Sequence, residues 1–155
     1  MATQISQHFT LEELTSSDTA RRLGDPNQPG AAEIAALKVL CEKVLEPIRA
    51  HYGRPIRINS GYRSARVNQA VGSSPSSQHR LGEAADIEIS GVANRDLAIW
   101  IRDNILFDQL ILEAYHPGNP TSGWVHVSYR TGRLRKSVLT MALGTHGPVY
   151  TPGIA

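Results

Sequence analysis

The chain has 155 residues, of which 41% are hydrophobic and 19% are charged, and its formal net charge is +2. This length and balance predict one globular domain over residues 1–155, with a core over about 8–143 and a C-terminal tail over 144–155. The sequence has neither a long Lys/Arg run nor an apolar run of membrane-spanning length, which argues against nucleic acid or the membrane interior as a partner.

The N-terminal part of the chain carries short helix signals. Residues 1–6 have no pattern and are expected to be frayed or loosely docked. Thr10 and Glu13 have the spacing of a capping box, so a short helix is expected after Thr10, with a second helical turn around Thr19 to Leu23. The segment Gly24 to Gly30 holds two prolines and two glycines and is predicted to be a loop.

The longest predicted helix covers Ala31 to Tyr52, where apolar residues recur at helical spacing. Pro47 lies inside this pattern and removes one backbone donor, so a kink or a break is expected there. Cys41 lies on the apolar side of the helix, which predicts a buried thiol. Because Cys41 is the only cysteine, an intramolecular disulfide and a cysteine-based metal site are excluded.

The second half of the chain is dominated by alternating segments that predict strands. The expected strands are Pro55 to Asn59, Ala85 to Ser90, Phe107 to Tyr115, Trp124 to Tyr129 and Ser137 to Leu143. Short helices are expected from Ser64 to Ala70 and from Asn94, as the N-cap, to about Asn104. Helices therefore precede a mostly antiparallel sheet, and the predicted class is α+β, with N-terminal helices packed on a small sheet.

Two histidines and one aspartate form a candidate metal site. His79 lies seven residues before Asp86, and His126 lies in a distant alternating segment. The period of two along a strand turns Asp86 away from Ile87 and Ile89, towards the opposite face. Two imidazoles and one carboxylate can hold a zinc ion and leave a fourth position for water, so the set predicts a zinc hydrolase. Taken singly, each histidine is more often structural than a ligand.

A zinc hydrolase needs a carboxylate that takes a proton from water and passes it to the leaving amine. Glu113 is the candidate, because it lies on the strand just before that of His126 and a hairpin would bring the two strands together. The alternative for Glu113 is a solvated strand residue. Glu83 and Glu88 flank Asp86 and are weaker candidates, since both can be ordinary surface charges.

Arg63, Gln78 and Ser77 are candidate substrate-binding residues. Arg63 follows a turn at the end of a strand, where its planar guanidinium could grip a carboxylate. Gln78, next to His79, could donate a hydrogen bond to a substrate carbonyl, and Ser77 directly precedes it. The alternatives are a solvated arginine beside a turn and a glutamine that only stabilises its loop.

With these motifs in this order, the sequence resembles the M15 family of zinc peptidases. It looks most like the compact phage and prophage branch related to D-alanyl-D-alanine carboxypeptidases, and the resemblance covers roughly residues 8 to 130. The segments that carry it are Phe9 to Leu14, Leu45 to Arg49, Ser60 to Ser64, Ser77 to Asp86 and Trp124 to Ser128.

The resemblance implies a hedgehog/DD-peptidase fold and one Zn²⁺ held by His79, Asp86 and His126. It also implies hydrolysis of a peptide bond in the peptidoglycan stem. Arg63 matches the family arginine that binds or polarises the substrate, and Gln78 lies beside the first ligand in the matching motif.

One departure from the family pattern affects the general base. Many relatives carry the catalytic glutamate three residues before the last histidine, and some have a histidine two residues before it. This sequence has Gly123 and Trp124 at those positions. The base must therefore come from elsewhere, and Glu113 is the best candidate.

The expected function is a zinc metallopeptidase of the D,D-carboxypeptidase or endopeptidase type, endolysin-like, in which Glu113 moves the proton and zinc with Arg63 stabilises the oxyanion. The alternative, which Gly123 leaves open, is a non-catalytic cell-wall or partner-binding module that keeps the fold. The scissile bond stays open among the D-Ala-D-Ala bond, the L-Ala-D-Glu bond and the cross-link to diaminopimelate.

The expected places of synthesis and action follow from the first residues of the sequence and from the family resemblance. No basic-then-apolar leader opens the sequence, so synthesis in the cytoplasm without a signal peptide is expected. Action on the cell wall would then follow release through a pore, or delivery as a virion component. The protein is expected to be a monomer that takes a peptidoglycan peptide as its substrate.

Overall fold

The computed structural model describes residues 2–155 and has a mixed α/β architecture. The predicted capping box of Thr10 and Glu13 is present, and Ser17 and Ser64 cap two further helices. The helices are α1 (Leu11–Thr15), α2 (Asp18–Leu23), α3 (Ala31–Leu40), α4 (Glu46–Tyr52), α5 (Ala65–Ala70) and α6 (Asn94–Asn104), with a π turn at Cys41–Leu45 and a 3₁₀ turn at Gln78–Leu81. Within residues 2–155, no helix has the length and apolar character needed to cross a membrane.

The strands of the described residues form one six-stranded sheet. They are β1 (Arg57–Ser60), β2 (Ala84–Glu88), β3 (Gln109–Glu113), β4 (Trp124–Ser128), β5 (Ser137–Gly144) and β6 (Gly147–Pro152). Their order across the sheet is β1-β2-β4-β3-β5-β6. Neighbouring strands are antiparallel, apart from β3 and β5, which run parallel. The prediction of a mostly antiparallel sheet is therefore confirmed.

Alternation along the strands divides the sheet into a core face and an open face. Ile87 of β2, Leu112 of β3 and Val125 of β4 are fully buried in one hydrophobic cluster with side chains from α3, α4, α6 and the π turn. Their neighbours Asp86 and His126 project from the other face, which forms the floor of a cleft. The helices therefore cover one face, and polar side chains gather on the other.

Of the kink or break expected at Pro47, the break is absent, because the helical path continues through that residue. Between α3 and α4 the backbone forms the π turn, in which the Glu46 N–H donates to the Cys41 carbonyl. A proline in a regular α-helix lacks a donor and clashes with the carbonyl one turn before it. The wider spacing of a π turn relieves that conflict just before Pro47.

The N-terminal residues are anchored to α4, although the sequence pattern predicts frayed or loosely docked residues. Met1 lies outside the described residues, and Gln4 pairs with Thr10 in an isolated β-bridge. The Glu46 carboxylate accepts hydrogen bonds from the Ser6 hydroxyl at 2.6 Å and from the His8 backbone N–H at 2.7 Å. These partners are far apart in sequence, which is why a local pattern does not reveal them.

The C-terminal segment, predicted as a tail over 144–155, contains the strand β6. β6 pairs with β5 along its whole length, with Tyr150 opposite Met141. Beyond β6, the Thr140 hydroxyl donates to the Gly153 carbonyl at 2.6 Å and accepts from the Ala155 N–H at 2.9 Å. The end of the chain is therefore part of the sheet rather than an appendage.

Because the Cys41 thiol is buried, we expect the protein to lose stability at alkaline pH. Burial raises the pKa of Cys41 to about 12. An unfolded thiol ionises near pH 8.5, so above that pH the unfolded chain releases a proton that the folded chain keeps. The free energy of unfolding should fall by ~1.4 kcal/mol per pH unit above about pH 8.5, relative to Cys41→Ala. Urea unfolding across this range measures both slopes, and equal slopes would contradict the buried thiol.

Candidate metal centre and substrate cleft

Asp86 and His126 face each other across two paired strands. In the β2–β4 register Asp86 lies directly opposite His126, so both side chains project from the open face. His126 Nδ1 lies 3.0 Å from Asp86 Oδ1, and both side chains are buried. Strand pairing therefore brings together two candidate ligands that are distant along the chain.

His79 reaches the same point from the 3₁₀ turn. Its Nδ1 lies 2.7 Å from the Gly61 carbonyl oxygen. A carbonyl can only accept, so this nitrogen carries the proton of the neutral imidazole. Nε2 therefore presents its lone pair, and it lies 3.2 Å from Asp86 Oδ1. The Arg63 backbone N–H donates to the His79 carbonyl at 3.0 Å and holds the turn beside the end of β1.

The three side chains form a donor set that fits a zinc ion. One ligand atom from each of His79, Asp86 and His126 lies within 4.8 Å of the other two. Two imidazole nitrogens and one carboxylate oxygen match the three protein ligands of catalytic zinc sites. The Gly61 carbonyl orients His79 in the way that outer hydrogen bonds orient metal-binding imidazoles. The residues present therefore fit the predicted metal.

The surroundings of Asp86 keep its carboxyl group ionised. Burial alone raises the pKa of Asp86, but the imidazoles of His79 and His126 beside it outweigh burial and hold this pKa well below its usual range. Arg63 Nη2 lies 3.4 Å from Asp86 Oδ2, and Arg63 Nε donates to the Ser60 hydroxyl at 3.0 Å. One carboxylate oxygen thus faces the arginine, and the other faces the two histidines.

A buried asparagine fixes the backbone on both sides of Arg63. The Asn27 amide donates to the Thr15 carbonyl at 2.7 Å and to the Tyr62 carbonyl at 3.1 Å, and its Oδ1 accepts from the Ser64 N–H at 2.7 Å. The sequence places Asn27 in a Gly/Pro-rich loop, where asparagine ordinarily indicates a turn. Its positioning role was therefore missed, and the pattern carried no signal for it.

Glu113 lies on the open face, one strand away from His126. The β3–β4 register pairs Glu113 with Trp124 and Ile111 with His126, as the predicted hairpin requires. Burial raises the pKa of Glu113, and the charge of Asp86 raises it further, against the opposing effects of His126 and other neighbours. A half-buried carboxyl group with a raised pKa beside metal donors is suited to proton transfer.

Gly123 cannot carry a side chain in this fold. Its φ is +73°, and a Cβ added there would lie 1.8 Å from the Glu113 carbonyl oxygen and 2.9 Å from the Ala114 carbonyl carbon. Any side chain at this position, including the glutamate that the resemblance implies there, would overlap the backbone at the end of β3. An acid at position 123 is therefore incompatible with the way Glu113 is placed.

Asn94 holds the loop that leads into β4. The sequence predicts Asn94 as the N-cap of α6, but the N-cap is Ala93 and that prediction is wrong. The Asn94 amide instead donates to the carbonyls of Thr121 at 3.1 Å and Gly123 at 2.8 Å. A side chain that bonds to distant carbonyls is unavailable for capping, and these bonds fix the entry into the strand that carries His126.

The open face forms a cleft of about 660 Å³. The Ser77 hydroxyl, at its edge, accepts from the His79 backbone N–H at 3.3 Å and so caps the 3₁₀ turn. Each predicted site residue lines this cleft: Arg63, Ser77, Gln78, His79, Asp86, Glu113 and His126. Arg135 and Tyr150 also line it, and the sequence pattern did not single them out.

Gln78 is part of a chain of polar side chains along the cleft. Its Nε2 donates to Glu83 Oε1 at 3.2 Å, and its Oε1 accepts from Arg135 Nη2 at 3.2 Å. Arg135 also contacts the buried Asp108 carboxylate at 2.9 Å. These contacts agree with the loop-stabilising alternative for Gln78, and its substrate contact stays a prediction.

A half-buried acid beside a set of metal donors is the arrangement of a metallohydrolase. The chain belongs to the peptidase M15 family, whose model matches residues 7–128. This membership supports a peptidase, and the mixed α/β architecture is compatible with it. No curated protein matches the sequence. The matched segment contains the three donors and Glu113, whereas Arg135 and Tyr150 lie beyond its end.

Removal of zinc is expected to lower the melting temperature, because one ion would join three segments that are distant along the chain. At free zinc about 100-fold above Kd, mass action adds ~2.7 kcal/mol to the free energy of unfolding. Scanning calorimetry with zinc and with a chelator measures the shift, and Asp86→Ala serves as the variant with a damaged donor set. A melting temperature in the native protein that does not respond to zinc would contradict the metal site.

Proposed function

We propose that the chain is a zinc-dependent peptidase that hydrolyses a peptide bond in peptidoglycan stem peptides or cross-links, as a D,D-carboxypeptidase or endopeptidase. The observation that carries this proposal is the convergence of His79, Asp86 and His126 in a cleft that also contains Glu113. Family membership supports the reaction class. The motif resemblance to the carboxypeptidase-related branch supports peptidoglycan as the substrate, together with a hedgehog/DD-peptidase fold over a single domain.

Two of the donor residues are held by their neighbours in the form that binds a metal: His79 in one tautomer and Asp86 as a carboxylate. A zinc ion held by His79 Nε2, an Asp86 oxygen and His126 Nδ1 would supply Lewis acidity, which lowers the pKa of water and polarises the scissile carbonyl. His79 is fixed in the required tautomer by Gly61, and Asp86 is kept ionised by its neighbours. The buried walls of the cleft strengthen these electrostatic effects.

Glu113 and Arg63 provide the remaining chemistry. A Glu113 carboxylate oxygen accepts a proton from the attacking water and delivers it to the nitrogen of the leaving amine. Its raised pKa allows both steps, because the group can hold a proton between them. The half-buried Arg63 guanidinium stabilises the negative charge that develops on the carbonyl oxygen.

The alternative of a non-catalytic binding module loses its main support. That alternative relied on the missing acid at Gly123, and the cleft contains a half-buried carboxyl group at Glu113 instead. The proposed place of action is the bacterial cell wall, reached after release through a pore or as a virion component. A phage or prophage origin belongs to the same proposal.

Digestion of purified peptidoglycan by the zinc-loaded protein, followed by mass spectrometry, tests the proposed function. The expected result is a new pair of amine and carboxylate ends at one bond of the stem or cross-link, and a chelator should prevent their formation. If protein with stoichiometric zinc releases neither peptide nor D-alanine, the peptidase proposal is contradicted and the binding module is favoured.

A further inference from the structure

The cleft extends beyond the residues that the proposed mechanism uses. Across the open face the order is Asp86 on β2, His126 on β4, Glu113 on β3 and then Tyr150 on β6. β6 lies two strands beyond β3, which corresponds to ~10 Å at the usual spacing of strands. The metal donors and the acid therefore occupy one part of the cleft, and Tyr150 borders another.

The register of the sheet turns Tyr150 towards the cleft. Leu139 of β5 pairs with Ile111, which lines the cleft, so Met141, two residues further on, projects from the same face. Tyr150 lies opposite Met141 and shares that face. Its neighbour Val149 consequently projects from the opposite face of β6. The two residues have almost the same exposed fraction, 51% for Tyr150 and 52% for Val149.

The surroundings of Tyr150 suit contact with a polar ligand. Burial and the negative charge of Glu113 raise the pKa of Tyr150, so its hydroxyl stays protonated and can donate. The lining of the cleft combines apolar side chains, such as Ile111, with the hydroxyls of Ser74 and Ser76. Peptides offer both carbonyl oxygens and small apolar side chains to such a surface.

We propose that Tyr150 is a substrate-contacting residue that determines specificity. Its hydroxyl donates a hydrogen bond to an oxygen of the bound peptide, and its ring packs against a small apolar side chain. Across the open face of the sheet, Glu113 lies between the metal donors and the part of the peptide that Tyr150 contacts. This inference rests on the proposed peptidase function. Because Tyr150 lies outside residues 7–128, this contact belongs to the β5–β6 hairpin and not to the segment that matches the family.

Steady-state hydrolysis of soluble muropeptides by the zinc-loaded protein tests the contact. Tyr150→Ala is expected to raise KM by about 10-fold or more, since it removes the ring and the hydroxyl together. Tyr150→Phe removes only the hydroxyl and should lower kcat/KM by about 5-fold. Val149→Ala is the matched control and should keep the KM of the native protein. Zinc content and melting temperature should be the same for the two alanine variants, which separates substrate contact from a structural role.

The outcomes distinguish this inference from the proposed function. If Tyr150→Ala hydrolyses muropeptides with the KM of the native protein, the contact is refuted and the peptidase function stands. If the native protein shows no turnover, titration calorimetry with the same muropeptides decides. If Tyr150→Ala weakens muropeptide binding and Val149→Ala does not, the contact is supported even though the protein does not hydrolyse the peptide. Equal binding by both variants, or no binding by the native protein, would overturn it.

Discussion

Replacing Glu113 with glutamine is expected to lower kcat on peptidoglycan fragments by about 100-fold or more, the usual contribution of a general base. The amide has the same shape as the carboxylate but cannot accept a proton from water. Glu113 lies outside the set of three donors, so the variant should bind zinc as the native protein does. Mass spectrometry of released peptides measures turnover, and elemental analysis of the purified variant measures its zinc content.

Glu88→Gln is the matched control for the Glu113 variant. Glu88 lies on the strand that carries Asp86, and its carboxylate accepts from Asn59 at 2.8 Å and from Asn94 at 3.2 Å. The side-chain oxygen of glutamine can still accept the bond from Asn94. This control should retain turnover, because it removes a carboxylate that is not among the cleft residues. Undiminished turnover by Glu113→Gln with zinc bound would contradict the assignment of the base.

Gly123→Ala is expected to lower the free energy of unfolding by about 3 kcal/mol or more. Two effects add at this position. The residue has φ +73°, which disfavours any side chain, and the new Cβ would lie 1.8 Å from the Glu113 carbonyl oxygen. The loop and the end of β3 must separate to relieve the overlap. Since that movement also displaces Glu113, turnover should fall together with stability.

Gly118→Ala separates the two effects. Gly118 lies in the same connection between β3 and β4 and has φ +87°, but a Cβ added there meets nothing within 4 Å. It should therefore show only the conformational cost, about 1 kcal/mol. Urea unfolding of both variants measures the difference. Equal losses for the two variants would show that the close approach to Glu113 does not constrain position 123.

The outward orientation of Asp86 and the closeness of Glu113 to His126 could be predicted from strand periodicity. Asp86 alternates with Ile87, so burial of the isoleucine turns the aspartate to the other face. His126 lies in a second alternating strand, and Glu113 ends the strand just before it, so an antiparallel hairpin brings Glu113 close to His126. The pairing of β2 with β4, which sets Asp86 opposite His126, and the 3₁₀ turn that carries His79 do not follow from these local patterns.

Other features could not be predicted, because they depend on contacts that no local pattern records. The amide of Asn94 bonds to carbonyls of a loop about thirty residues away in sequence, so its capping signal was misleading. The π turn before Pro47 compensates for a missing donor in a way that periodicity does not reveal. β6 is an exposed edge strand, so Val149 and Tyr150 lack the alternation of burial that identifies strands in the core.

The proposed hydrolysis depends on three side chains that hold one zinc ion, and the location of zinc in crystals of the zinc-loaded protein tests this site most directly. Anomalous scattering at the zinc edge should show one strong peak per chain, bounded by His79 Nε2, an Asp86 oxygen and His126 Nδ1. A zinc peak bound by other residues, with these three left without metal at stoichiometric loading, would contradict the account.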